Sequence, residues 1–409
     1  MALLHAMAEL QAQYTPKLVA IHVNHGLQVA ADDWAKHCKT TCHDLDVALI
    51  EINLNLEINK GESIEAMARN ARYQAIKEQM TAGDMLLTAH HQDDQAETLL
   101  LQLMRGSGPS GLAAMPQSTE FGPGFHGRPL LGFSRKQLQA YASAEGLVWV
   151  EDSSNQDRRF DRNFLRQEIV PLLQQRWPAM SRTISRSASH CAEAQALIDE
   201  MAGADLDTVQ SEDGTTLSVN GLIALPAPRC RAVLRAWVKM RGYKVPDAVR
   251  LEQIQTEVLA AAPDRKPVVH WSGVEVRRYR DRLFLMTPLL SHDPSEVLAW
   301  DGQSPLLLPA GLGVLTTSLG VSGIALDQWS AGDIEVRFRT GGERCLLIGR
   351  NHSHSLKKLL QEQGIPPWQR DRIPLIYIHG QLAAVGDLWV CKPFLVEEGE
   401  QGISLLLAD

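Results

Sequence analysis

Residues 1–27 read MALLHAMAELQAQYTPKLVAIHVNHGL, and this stretch decides the fold. Leu3, Leu4, Met7 and Leu10 recur at the spacing of one helix face. Leu18–Val23 is instead a short apolar run of the kind a buried strand needs, and it leads into the polar cluster HVNHG. The chain continues this alternation. Asp32–Leu45 has helical spacing with Trp34, Cys38 and Leu45 inward, and Val47–Ile52 reads as a strand. Glu62–Met80 reads as a helix, Met85–Ala89 as a strand and Gln92–Met104 as a helix. Such alternation predicts an α/β fold whose N-terminal part is a doubly wound parallel sheet. Ligands of these sheets sit at the carboxyl ends of the strands, where HVNHG and TAHHQDD fall.

Downstream the pattern changes. RGSGPSGLAAM is glycine-rich and STEFGPGFHG reads as a loop; Ser134 is placed to cap a following helix. A long helical pattern covers about 181–201 and leads out of the first domain. The next segment mixes helices (PRCRAVLRAWVKMRGY, DAVRLEQIQTEVLAAA) with a hairpin-like pair around WSGVEVRRYRDRLFLM. Pro, Gly and Ser near 290–311 mark another boundary, and the last hundred residues are β-rich, with one helix at SLKKLLQEQG. The expected organisation is a catalytic domain over 1–190, a mostly helical, basic middle domain over 191–295 and a β-rich C-terminal domain over 296–409. A chain of 409 residues is too long for one core, which agrees with such a division.

Composition narrows the class. With 44% hydrophobic and 22% charged residues the chain is ordinary globular material, which excludes a disordered protein. No run approaches the roughly 20 apolar residues of a membrane span. The opening MALLHAMAEL has no basic region and no small-residue cleavage site, and six scattered cysteines make no disulfide framework, so a cytoplasmic, reducing compartment is expected. The net charge of −8 argues against a general nucleic-acid coat. Yet Arg229–Arg282 holds thirteen Lys/Arg against six Asp/Glu, a local +7 that leaves −15 elsewhere. This basic island is either a docking surface for a polyanion or a solvated face.

Two constellations carry chemistry. In TAHHQDDQAETLLLQLMRG, Asp94 and Glu97 are three apart and share a helix face, with His91 and Asp93 at the helix start. Carboxylates there suit the positive end of the helix; they also have the chemistry to hold Mg²⁺ or to orient an incoming amine. In EDSSNQDRRFDRNFLRQEIVP, Arg162 and Arg166 lie one helical turn apart and suit a phosphate clamp or a basic solvent face, while Asn155 and Asp157 are placed as caps. HCKTTCH has the look of a zinc site, but its ligands alternate around an amphipathic helix, so Cys38 and Cys42 read as a core-facing edge and no zinc is expected. No GxxxxGK[ST], GxGxxG or CxxC motif occurs.

Taken together, LVAIHVNHGL, SIEAMARNARYQAI, LLTAHHQDDQAETLLLQLMRGSGPSGLAAM, RPLL, WVEDSSNQDRRFDRNFLRQEIVPLL, RFRTGGER and SLKKLLQEQGIPPWQRDRIPLIY resemble the tRNA(Ile)-lysidine synthetase family, in the family's order and over nearly the whole chain. The resemblance implies a PP-loop ATPase-like first domain and a ligase that uses ATP and Mg²⁺. Such an enzyme joins L-lysine to C2 of the wobble cytidine of tRNA(Ile) with a CAU anticodon, through an adenylated cytidine, giving lysidine. By resemblance, Asp94, Glu97, Asp93 and His91 are catalytic, with Mg²⁺ on Asp93 or Asp94. His25, Gly26, Arg105, Gly106, Arg162, Asn163 and Arg166 would bind ATP and cytidine. Arg277, Arg278, Arg280, Arg350, Lys357 and Lys358 would bind tRNA. A monomer or homodimer away from membranes is implied.

In that family an S-G-G-x-D-S loop and a first, internal strand come before the helix that here reads MALLHAMAEL. The expectation is therefore a chain lacking its main ATP loop, with weak or no activity and a less stable first domain. The competing expectations are a catalytically dead tRNA-binding remnant and another PP-loop tRNA-modifying enzyme. A thiolation enzyme among the latter would carry a CxxC pair.

Overall fold

The computed structural model describes residues 1–14, 17–26, 31–54, 64–150, 157–262, 265–330 and 332–408. Asn155, one of the expected caps, lies outside them. The chain forms two compact units, Met1–Ala202 and Gly203–Asp409.

The first unit realises the alternation. Helix α1 (Ala2–Tyr14) precedes β1 (Val19–Asn24), α2 (Ala31–Asp44), β2 (Ala48–Asn53), α3 (Ile64–Gln79), β3 (Met85–Leu87) and α4 (Gln92–Met104). Strands β1 and β2 pair in parallel from Val19↔Ala48 to Asn24↔Asn53. Their α/β core buries Cys42, Val47, Ala68, Ala75, Ile76 and Ala96. Cys42 is buried and Cys38 half-buried, so the cysteine edge faces inward.

One expectation fails here. After the short α5 (Pro109–Leu112), the segment read as a loop is a hairpin of β4 (Ser118–Phe121) and β5 (Gly124–Gly127). Glycine frequency suggested a loop, but these glycines serve close packing. A Cβ on Gly124 would stand 2.1 Å from the Asp84 carbonyl oxygen, beside the parallel pairing of β5 with β3. Gly124→Ala is expected to cost about 3 kcal/mol or more by overpacking, read as a drop in the denaturant midpoint. A wild-type midpoint would contradict this close approach.

The parallel strands thus fall in two sheets, β1–β2 and β3–β5–β4. Helix α6 (Arg135–Ala144) follows, capped by Ser134 as expected, with Gln137 completing a capping box. Helix α7 (Asp161–Phe164) widens into a π-helical turn (Leu165–Ile169) and continues as α8 (Val170–Arg176). The long helix expected from 181 is α9 (Met180–Val209).

In the second unit, the middle segment adds to its helices (Val219–Ala224, Ala227–Met240, Ala248–Gln253) a four-stranded antiparallel sheet. That sheet contains the expected hairpin, Val274–Tyr279 with Arg282–Met286. Trp237, Leu234, Leu251, Ile254 and Leu283 fill its core. The C-terminal part is β-rich, with five-stranded and four-stranded antiparallel sheets over a core of Trp300, Leu315, Ile324, Ile376 and Ile378. Helix Leu356–Glu362 packs Leu356, Leu359 and Leu360 into an adjoining cluster. Cys345 and Cys391 are joined there as a disulfide, a pair 46 residues apart that scattered cysteine spacing did not reveal.

The middle and C-terminal cores are tied together within this unit. Arg370, buried, donates from Nε to the Ile365 carbonyl and from Nη2 to the Tyr279 hydroxyl, both at 2.8 Å. Trp368 packs edge-on against Tyr279 and Phe284 and lies beneath the Arg277 guanidinium. Arg280 Nη2 donates to the Gln361 carbonyl at 2.5 Å.

Candidate functional site

The N-terminus of α4 organises the first unit. His91 is the N-cap, its ring accepting from the Asp94 N–H while the Asp94 carboxylate accepts from the His91 N–H at 3.0 Å. This reciprocal pair satisfies backbone donors that a helix start leaves open. Asp93, expected at the nucleotide, faces other helices: it accepts from Arg135 N–H of α6 and from Ser181 Oγ of α9, each at 2.7 Å. It therefore joins three helix starts.

Asp94 and Glu97 share a face, as their spacing requires, and both are buried. They are closed off by the two arginines whose one-turn spacing marked them in the sequence. Arg166 grips Glu97 with Nε on Oε1 at 2.7 Å and Nη2 on Oε2 at 2.8 Å, and reaches Asp94 Oδ1 at 3.0 Å. Arg162 Nε meets Glu97 Oε2 at 2.9 Å and its Nη2 meets Asp94 Oδ1 at 3.2 Å. Burial works against the Arg166 charge, but its hydrogen bonds and ion pairs with Glu97 and Asp94 outweigh this and raise its pKa above the ordinary guanidinium value. Two cations thus balance two carboxylates, an arrangement that tolerates burial because every charge is paired.

Asp93 and Asp94, expected as Mg²⁺ ligands, both have protein partners in this arrangement. Every oxygen of both carboxylates already accepts a hydrogen bond, from Ser181, Arg135, His91 or the two arginines. As arranged, these residues do not fit the ion. The expected Asp157 cap is also absent: Phe160 holds the N-cap position of α7 without a side-chain cap, and Asp157 binds the Arg159 guanidinium and N–H. Asn163 Nδ2 donates to the Asp157 carbonyl at 3.0 Å, which orders the turn before Arg162.

A cavity of about 590 Å³ opens beside this cluster, lined by Arg69, Gln102, Arg105, Phe160 and Arg162 among others. Arg105 is the C-cap of α4 and Gly106, at φ 69°, takes the left-handed position that ends the helix. Arg105 is about 16 Å along the helix from Asp94 at 1.5 Å per residue, so it lines the cavity without touching Asp94. A second cavity of about 320 Å³ is lined by Arg69, Arg72, Tyr73, Thr88 and His90 among others. His25 joins that side: its Nε2 accepts from Arg72 Nε at 3.1 Å and Nη2 at 2.9 Å, next to Gly26 at φ 65°. Burial first, then Arg72 and His22, lowers the His25 pKa.

Sequence reading missed Arg69, Arg72, His90, His126, Arg128 and Phe160. Arg69 and Arg72 sit three apart in ARNARY, a spacing that was a usable signal. His126 carried none, because its segment was read as a loop. Burial pushes the pKa values of His90 and His126 down to about 4, aided for His126 by Arg128 and for His90 by Arg128, Arg162 and Arg69 against an opposing pull from Asp94. Unfolded, both histidines take protons below about 6.5; folded, they resist down to about 4. Their stabilisation is therefore complete above pH 6.5 and lost as pH falls from 6.5 toward 4. Denaturant titrations at stepped pH should show this decline, shallower in His90→Gln; an identical slope in that variant would contradict it.

The residues expected at tRNA lie in the second unit, and most are engaged internally. Arg277 pairs with Glu275 at 2.6 Å, and Arg278 donates to the carbonyls of Leu259, Ala261 and Arg280. Arg280 holds Gln361, and Arg350 pairs with Glu362 at 2.6 Å, a residue Lys358 also approaches at 3.9 Å. Arg229, at the head of the basic island, pairs with Asp205. Lys357 is exposed and makes no ion pair among the described residues.

Comparison with known families accounts for these parts together. Residues 1–173 match the model of the PP-loop domain, residues 217–284 that of the TilS substrate binding domain and residues 334–407 that of the TilS substrate C-terminal domain. A PP-loop nucleotide domain with appended substrate domains defines the class. The tRNA(Ile)-lysidine synthase of Coxiella burnetii is 42% identical over 98% of this chain and 89% of that protein. That of Methylococcus capsulatus is 46% identical over 92% and 86%, and that of Edwardsiella ictaluri 44% over 97% and 89%. The chain belongs to the tRNA(Ile)-lysidine synthase family, a family of ligases. Among the described residues, no helix is long and apolar enough to cross a membrane.

Proposed function

We propose that the chain ligates L-lysine to C2 of the wobble cytidine of tRNA(Ile) with a CAU anticodon, at the expense of ATP. The cytidine C2 oxygen attacks the α-phosphate and pyrophosphate leaves. The lysine ε-amine then attacks C2, and AMP leaves with the oxygen. The observation that carries this reading is the closed square of Asp94, Glu97, Arg162 and Arg166. Phosphate is a better partner for guanidinium than a carboxylate already shared by two arginines, because it offers more oxygens in a forked geometry. A nucleotide in the adjoining cavity draws Arg162 or Arg166 away and uncovers a carboxylate. The uncovered group then takes the lysine ammonium, in reach of the activated cytidine. Lysine thus enters after the phosphate, which suits an order in which adenylation comes first.

His91 and Asp93 hold the start of α4 in place for these exchanges. Mg²⁺ ordinarily binds through phosphates with one or two carboxylates and supplies charge neutralisation at the phosphates. Asp93 and Asp94 are the expected protein ligands but would have to release their present partners, and no step here is routed through the ion. Incubation with the tRNA(Ile) transcript, ATP and radiolabelled lysine tests the reading. Label in the tRNA that requires ATP and a wobble cytidine supports it; no label, with the tRNA bound, favours the binding-remnant alternative.

The tRNA partner is assigned to the second unit through Lys357, Lys358, Arg350 and the 277–280 arginines. Lys357, exposed and without an ion pair among the described residues, is the group best able to meet a phosphate. Lys357→Gln is expected to weaken tRNA binding uniformly across sequences and to lower the slope of log K against log salt by about one. An unchanged slope would remove Lys357 from the interface. A monomer or homodimer fits this reading.

A further inference from the structure

Among the described residues Cys345 and Cys391 are the one bonded pair; Cys38, Cys42, Cys191 and Cys230 are free. A single bond among six cysteines is not the framework that stabilises a small secreted domain, and composition leads to the expectation of a reducing compartment. A disulfide found there is ordinarily transient, serving redox sensing or catalysis. Its place in the fold points the same way. Cys345 sits in a hairpin of two residue pairs, Arg344 with Ser355 and Cys345 with His354. So short a ladder is marginal by itself. The loop that closes it carries Arg350, and His354–Ser355 runs directly into the helix of Lys357 and Lys358. Cys391 follows Trp389–Val390, the edge strand of the five-stranded sheet. Next to the disulfide, the Lys392 N–H donates to the Leu346 carbonyl at 2.7 Å. These two adjacent ties hold the hairpin to the sheet edge. Cys345 is 2% exposed and Cys391 3%, so a thiol in solution reaches the sulfurs only when the hairpin lifts.

We propose that Cys345 and Cys391 form a redox switch: the oxidised pair holds the segment bearing Arg350, Lys357 and Lys358 in place for RNA, and reduction frees the hairpin and weakens that grip. The exchange partner is a low-molecular-weight disulfide. One cysteine, its proton passed to solvent, attacks a sulfur of that disulfide and expels one small thiolate. The other cysteine, deprotonated in turn, attacks the mixed disulfide and expels the second. One S–S bond breaks and one forms; the two cysteines are oxidised and the small disulfide is reduced to two thiols. Reduction of the switch is the reverse. Once the bond is open, ordering the loop becomes a cost of binding. The helix still packs Leu356, Leu359 and Leu360 into the cluster that holds both cysteines, so the loss of affinity is graded and not complete. The inference rests on the reading of this unit as a tRNA surface.

The test equilibrates the full chain in reduced and oxidised glutathione at stepped ratios, with alkylation of free thiols and mass analysis to read the pair. The 345–391 bond should form and break within the series. The reduced chain should melt lower by about 5 °C or more. Its binding of the tRNA(Ile) transcript should be weaker by about threefold or more. Cys345→Ala and Cys391→Ala should each bind as the reduced chain does, whatever the glutathione ratio, which separates this pair from the four free cysteines. A pair that stays as thiols, or stays bonded, across the whole series overturns the switch. So does a redox difference that survives in Cys345→Ala and Cys391→Ala. If both forms of the parent bind tRNA to within threefold, or the reduced form binds more tightly, the switch is wrong and the tRNA surface stands. If neither form binds tRNA, both fall.

Discussion

Glu97→Gln is expected to lower lysidine formation by about a thousandfold, the scale on which loss of one oriented charged group acts in a water-poor site. The side chain is 2% exposed and takes three guanidinium hydrogen bonds. The amide keeps the shape but replaces an acceptor by a donor, so one arginine N–H faces an NH₂ group and the pair of cations loses half its balance. Folding should suffer too, on the order of 3 kcal/mol for a broken buried pair, somewhat less because the arginines keep access to water. The kinetic split is the decisive measurement. If Glu97 takes the lysine ammonium once the arginines move, the defect appears with lysine and persists at saturating ATP, while adenylation of the tRNA, followed by pyrophosphate release, is retained. Glu97→Asp should restore part of the lysine step. Near-normal lysidine formation by Glu97→Gln would remove this carboxylate from the mechanism.

Arg370→Met should divide the second unit in two. At present one buried guanidinium satisfies the Ile365 carbonyl and the Tyr279 hydroxyl, linking the C-terminal part to the middle sheet. The thioether keeps the packing of the stem but satisfies neither group. Two half-buried acceptors then lose a charged donor, a loss of about 3 kcal/mol. Calorimetry of the variant should resolve separate melting of the middle and C-terminal cores where the parent shows them coupled. A single transition at the parent temperature would mean that the Trp368 contacts suffice alone.

The elements easiest to read were those with strict periodicity. Gln92–Met104 was placed to the residue because its cap, apolar spacing and closing glycine agree. The hairpin at 118–127 was misread because Gly124 is demanded by the backbone of Asp84, a residue far back in the chain that spacing cannot reveal. The site divides in the same way. Helical spacing put Asp94 with Glu97 and Arg162 with Arg166, but their mutual closure joins residues 65 to 72 apart. Single-residue chemistry suggested free carboxylates for a metal or an amine; only the fold shows that each already has a cation. The basic island was legible as charge, yet the pairs Arg277–Glu275 and Arg229–Asp205 neutralise part of it locally.

The tie made by Arg370, Trp368 and Arg280 also bears on how the second unit meets a partner. Two cores held by a buried guanidinium and an interlocked indole cannot adjust their spacing to suit each ligand. Cationic side chains carried on them stay at set intervals, as marks on a ruler do. On the proposed reading of this unit as a tRNA surface, discrimination among RNAs of similar charge would come from length and bend: a molecule whose phosphates match the intervals would gain every contact together, and one that does not would gain few of them.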